Sequence, residues 1–166
     1  MKKTLLLLCA VFSFINCSKA QKTSFTPEAL SEELVTFEGN KTTFQEVLKK
    51  HEGKTIIIDV WASWCPDCIK GMPKMKALQS EFPDAVALFL SYDKTPESWK
   101  KGIEKYNVKG EHYLITSNWK SGGFKSAIDL DWIPRYIVVD KTGKIALYRA
   151  IEADDETLIN TLKKLQ

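Results

Sequence analysis

The run Ile56-Ile57-Ile58-Asp59-Val60-Trp61 constrains this chain more than any other stretch. Its apolar residues do not alternate with polar ones. It therefore reads as a strand buried on both faces, as at the centre of a parallel sheet. Asp59 is the one acid in it. Ala62-Ser63-Trp64 follows, and then Cys65-Pro66-Asp67-Cys68. Proline suits the first turn of a helix, where its missing N–H would have had no partner. Cys65 is thus predicted at a helix N-terminus, where the macrodipole and free N–H groups favour a thiolate. Cys68, three residues on, shares that face and can reach Cys65. This spacing lets a small disulfide close and reopen.

The segment Trp61-Ala62-Ser63-Trp64-Cys65-Pro66-Asp67-Cys68 resembles the active-site segment of the thioredoxin superfamily, above all of the exported TlpA/ResA-type thiol-disulfide oxidoreductases. Asp59 matches the buried acid of thioredoxins, a position at which many TlpA-like proteins differ. Pro73 matches the proline inside the thioredoxin active-site helix, and Trp132-Ile133-Pro134 resembles the family's cis-proline loop. The likeness covers residues 34–166. It implies a thioredoxin fold, α/β, with a mixed central sheet flanked by helices on both faces. It also implies that the 133–134 peptide bond is cis and that this loop packs against the cysteines. Ile133 would then offer its backbone to an extended substrate. Trp64, Pro66, Ile133 and Pro134 are the substrate-contact residues on this reading, with Trp132 beside them.

Cysteine usage agrees with a redox role. Of four cysteines, Cys9 and Cys17 lie in the first 20 residues, which leaves Cys65 and Cys68 for the folded domain. A bridge closing so short a loop removes little chain entropy and would be a poor structural staple. Neither His51 nor His112 has ligand spacing with the cysteines, so no metal is expected, and no cofactor. Met72 and Met75 read as core filler.

Residues 1–20 read as a signal peptide: Lys2 and Lys3 precede an apolar run too short to span a bilayer comfortably. Two cleavage readings stand. Phe14-Ile15-Asn16-Cys17 is similar to a lipobox, with Cys17 carrying lipid and anchoring the protein to a membrane. Ser18-Lys19-Ala20 fits a small-x-small site. Both place the domain in the bacterial cell envelope, on the periplasmic side. The formal net charge is +3, and residues 1–16 contain two lysines and no acid, so their removal leaves +1. That balance gives no reason to expect nucleic acid as a partner.

Residues 21–33 are polar and read as a linker, and 34–166 as the thioredoxin-like domain. A first strand is predicted over 34–38, then a helix capped by Thr42 or Thr43. After the central strand come a helix from Pro66, a strand over 85–90, a helix from Pro96, and a short strand over 112–116. One or two helical turns are expected within 124–130. Strands 135–140 and 145–150 join through Asp140-Lys141-Thr142-Gly143, and Asp154 or Asp155 caps the last helix.

Each site residue then has an expected part. Cys65 attacks a substrate disulfide and Cys68 resolves the mixed disulfide. Asp59, raised in pKa by burial, accepts the proton of Cys68; the plainer reading is an acid at a strand end paired with a lysine. Asp67, between the cysteines, opposes the thiolate and favours the disulfide form, with Lys70 partly offsetting it. A reducing protein is therefore expected. Its substrates would be disulfides of exported proteins, apocytochrome c being one candidate by the resemblance, and an upstream thiol reductant would regenerate it. The rival readings are an oxidase or isomerase of exported proteins and a non-catalytic binding module on the same fold.

Overall fold

The computed structural model describes residues 21–120 and 122–166. The expected signal peptide, Cys17 and both cleavage readings fall on residues 1–20, outside the described residues. Among the described residues, no helix is long and apolar enough to cross a membrane.

The core is one seven-stranded mixed sheet, ordered β2-β1-β5-β4-β3-β6-β7. Its strands are β1 (Glu33–Thr36), β2 (Lys41–Thr43), β3 (Ile56–Trp61), β4 (Val86–Ser91), β5 (Glu111–Ile115), β6 (Arg135–Val139) and β7 (Ile145–Ala150). Among the described residues six helices accompany them: α1 (Pro27–Leu30), α2 (Phe44–Lys50), α3 (Pro66–Glu81), α4 (Pro96–Tyr106), α5 (Gly123–Ala127) and α6 (Glu156–Leu165). Strand β3 lies inside the sheet between β4 and β6, and every residue of it is buried, as its unbroken apolar run requires. It runs parallel to β4 and antiparallel to β6, so the sheet is mixed.

Helices α3 and α4 each connect neighbouring parallel strands and step in the same direction across the sheet. The right-handedness of such crossovers puts both on one face. Lys76 of α3 donates to the Tyr106 carbonyl at the end of α4, and Lys163 of α6 pairs with Glu81 of α3. Helices α1, α2 and α5 pack together elsewhere, where Phe44 meets Phe124 edge to face. The expected mixed sheet with helices on both faces is what the chain forms.

Local signals account for the helix starts. Thr43 and Glu46 form a reciprocal capping box at α2, Thr95 accepts from the Ser98 N–H at α4, and Asp155 caps α6. Pro73 sits inside α3, as expected.

Two features lie outside the sequence expectations. The 21–33 segment, expected as a linker, holds a short helix. Thr26 caps α1, Ala29 is fully buried, and Phe25 packs on Phe44. Strand β2 went unpredicted because Lys41-Thr42-Thr43 is short and polar; it exists because β1 pairs with it antiparallel. Strand β5, expected over 112–116, runs Glu111–Ile115 and lies inside the sheet between β1 and β4.

Candidate active site

Strand β3 ends at Trp61, and the chain turns through Ala62-Ser63-Trp64 into α3. That turn is anchored. The buried Asp93 carboxylate accepts from the Ser63 N–H at 3.0 Å, the Ser63 hydroxyl at 2.6 Å and the Ser91 hydroxyl at 2.8 Å. On the other side Gly102 of α4 lies against Ser63; a Cβ there would stand 2.4 Å from the Ser63 Cβ. Trp64 projects outward, half exposed, with its indole N–H donating to the Tyr92 carbonyl at 3.3 Å. Trp61 is fully buried packing.

Cys65 is the N-cap of α3. It is joined to Cys68 by a disulfide, with the Cα atoms 5.3 Å apart. The Cys65 sulfur accepts the Cys68 backbone N–H at 3.1 Å. A sulfur so placed, facing the positive end of a sixteen-residue helix, is stabilised as a thiolate once the bridge opens. Pro66 is the first helical residue and is exposed, while Cys68 is buried.

The 133–134 peptide bond is cis. It brings the Ile133 carbonyl to 3.5 Å from the Cys65 sulfur. Ile133 and Pro134 are buried, whereas Trp132 is 62% exposed. A cleft of about 300 Å³ opens beside Pro134, bordered by Trp132, Ile151, Asp67 and Lys70. Trp64, Trp132 and Ile151 are thus three of the few large apolar side chains left in water, and Trp64 and Trp132 flank the disulfide in the chain or through the loop that touches it.

Asp59 lies on β3 opposite Tyr136 of β6. The two side chains share one sheet face, and the Tyr136 hydroxyl reaches α3 at Gly71, so that face is the one α3 covers. Asp59 is 1% exposed, and neither carboxylate oxygen has a hydrogen-bond partner among the described residues. Burial pushes its carboxyl up to about 8. The plainer reading of Asp59, an acid paired with a lysine, fails here. Asp67 is about half exposed with Lys70 3.7 Å away, so solvent screens its influence on the thiolate.

The histidines lie in other settings. His51 faces Glu111 at 3.0 Å and His112 stacks on Phe89, with Nε2 3.1 Å from the Val108 carbonyl. No group of three metal-ligating side chains occurs among the described residues.

One device carries no signature in the cysteine segment or the loop motif. Arg135, directly after the cis proline, is buried on β6 and pairs with Asp131; Arg149 of β7 reaches the same carboxylate at 2.7 Å. These pairs bracket the loop that carries Trp132, Ile133 and Pro134. An arginine opening a buried apolar strand is a signal in itself, because a buried cation requires a partner.

A family model described as Redoxin matches residues 20–165. The chain belongs to the Redoxin family. It is similar to the thiol-disulfide oxidoreductase ResA of Bacillus thuringiensis subsp. konkukian, at 26% identity over 97% of this chain and 92% of that one. Among solved structures it is similar to a putative thiol-disulfide oxidoreductase from Bacteroides vulgatus, at 28% identity and a TM-score of 0.69, over 84% of this chain and 89% of the other. The thioredoxin domain of a thiol-disulfide oxidoreductase from the same organism superposes with a TM-score of 0.70 at 24% identity, over 90% of this chain and all of that one. The thioredoxin fold expected from the cysteine segment and the cis-proline loop is therefore the fold of this member of the Redoxin family.

Proposed function

We propose that this Redoxin-family protein is a disulfide reductase of exported proteins, working through Cys65 and Cys68. Thiol–disulfide exchange is the chemistry that its bonded pair and its relatives have in common. The observation that carries the reading is the disulfide itself: it lies at the start of α3, beneath the cis-proline loop and between exposed tryptophans.

In the reduced protein the Cys65 thiolate attacks one sulfur of a client disulfide. A Cys65–client bond forms, the client bond breaks, and the other client sulfur leaves as a thiolate that takes a proton from solvent. Asp59 then accepts the Cys68 proton, and Cys68 attacks the Cys65 sulfur. The internal disulfide closes and the second client thiol leaves. Two electrons pass from protein to client, and an external dithiol returns them. Ile133 pairs its backbone with the client, while Trp64, Pro66 and Pro134 bound the contact. The ResA likeness favours an envelope location and leaves apocytochrome c as one candidate client; Cys17 would supply a lipid anchor.

Acceleration of insulin reduction by dithiothreitol tests the activity, with loss in Cys65→Ser. The direction is tested by the reduction potential. A value near thioredoxin's, about −270 mV, is expected, and one near about −120 mV would make the protein an oxidase instead.

A further inference from the structure

A second, larger groove of about 1150 Å³ is lined in part by Trp64 and shares no residue with the cleft beside Pro134. Three segments distant in sequence build it: the turn at Ser63-Trp64, the β4–α4 loop at Tyr92–Thr95, and the stretch after β5 that ends at Trp119-Lys120. Leu114 and Ile115, both buried, line its floor. Tyr92 and Trp119 meet edge to face with ring centres 4.9 Å apart, and the Lys125 ammonium lies 4.5 Å from the centre of the Trp119 ring. The buried Tyr92 hydroxyl has no hydrogen-bond partner among the described residues.

The exposed charged side chains that line the groove are lysines; Glu97 lies outside the lining with its carboxylate held at Thr95, and Glu32 is buried with its carboxylate accepting from the Ser117 N–H. Lys94 and Lys120 are exposed on its rim, and neither has an ion-pair partner among the described residues. Asp93 is the one acid in the lining. It is 5% exposed and already bound by Ser63 and Ser91, so it presents little negative charge to an occupant. The volume exceeds the roughly 300–1,000 Å³ usual for a small-ligand pocket and suits a length of chain. The groove starts one residue from the nucleophile, because Trp64 lines it and directly precedes Cys65.

We propose that this groove is a docking site for the client itself, taking the extended segment beside the attacked disulfide and favouring segments that carry carboxylates next to an apolar or aromatic side chain. The proposal rests on the oxidoreductase reading above and adds a substrate preference to it. A client held at Cys65 delivers its flanking chain to the groove at high effective concentration, so weak contacts there suffice to discriminate between clients. Two exposed lysines facing two carboxylates change the encounter rate and its salt dependence more than they change equilibrium binding.

The test uses the full reduced protein and three probes. Two are synthetic peptides that share one intramolecular disulfide, flanked either by Glu and Phe or by Lys and Phe. The third is 2-hydroxyethyl disulfide, which is too small to reach the groove. The Glu peptide is expected to be reduced about fivefold faster at low salt, with the gap closing at high salt. The Lys94→Glu/Lys120→Glu double variant should reverse the preference. Thr116→Trp, which crowds the groove from an exposed position, should slow both peptides. All three proteins should reduce 2-hydroxyethyl disulfide at one rate. Absence of a flank preference in the parent protein, or an equal effect of the variants on the small disulfide, overturns the docking site while leaving the oxidoreductase reading intact. Failure of the parent protein to reduce 2-hydroxyethyl disulfide overturns both.

Discussion

Asp59 and Tyr136 stand opposite each other across the β3–β6 pair, on the face of the sheet beneath α3, and the carboxylate has no hydrogen-bond partner among the described residues. The Tyr136 side chain is buried too, and burial together with the nearby Asp59 charge raises its phenol well above the usual range. A carboxyl in that setting stays protonated where free carboxyls are ionised.

The consequence for stability has a definite sign. Between about pH 4, the unfolded carboxyl's value, and about 8, the folded one, the folded state holds a proton that the unfolded state has released. Stability therefore falls as pH rises through this window, on the order of 1.4 kcal/mol per pH unit from this group. Asp59→Asn should flatten that slope and be the more stable protein at pH 8, as urea unfolding at a series of pH values would register. The same variant should close the mixed disulfide about a hundredfold more slowly and lose the limb of the rate profile that climbs towards pH 8. An unchanged single-turnover rate would remove Asp59 from the chemistry.

Cys65 and Cys68 are not equivalent, because one caps α3 and the other lies inside its first turn. Cys68→Ser should accumulate a covalent adduct with a disulfide-containing client, released by dithiothreitol and visible on non-reducing gels. Cys65→Ser should form none. Equal trapping by both variants would contradict the assignment of Cys65 as nucleophile.

Asp131 holds two arginines that bracket the cis-proline loop. Asp131→Ala leaves the Arg135 guanidinium buried without its partner, at a cost of about 1–3 kcal/mol. That is less than for a fully buried pair, because the Asp131 side chain is itself about two-thirds exposed. Thermal melting should show the loss. Because the loop positions Ile133 and Trp132, kcat/KM for a protein substrate should fall several-fold while 2-hydroxyethyl disulfide is reduced as before.

Gly102 of α4 allows the helix to approach the turn that leads into Cys65. In Gly102→Ala the new methyl meets the Ser63 Cβ, which cannot swing aside as a long side chain would. A destabilisation of about 1–3 kcal/mol is expected, together with a change in Trp64 fluorescence as the Ser63–Asp93 anchor shifts. A variant as stable as the parent would mean that α4 can back away.

Chemistry carried by neighbours in the chain is legible in the amino-acid sequence alone. The unbroken apolar run of β3, the proline that starts α3 and the three-residue spacing of the cysteines each act over a turn or a strand, so residues 56–68 announce their own conformation. Capping residues do the same at Thr43, Thr95 and Asp155. The cis-proline loop is readable only by resemblance, since Trp132-Ile133-Pro134 carries no local signal that separates a cis bond from a trans one.

Tertiary structure decided the rest. Strand β2 exists because β1 lies beside it, and Asp59 is isolated because α3 and Tyr136 close over it. Arg135, Asp131 and Arg149 meet because β6 and β7 pair, and the groove at Trp64 is walled by loops that lie some 30 residues apart in sequence, at Ser63 and Asp93 among others. Periodicity and capping report how a segment folds on itself. Which loops come to face one another depends on strand order and on the packing of helices across the sheet, and no single segment encodes either.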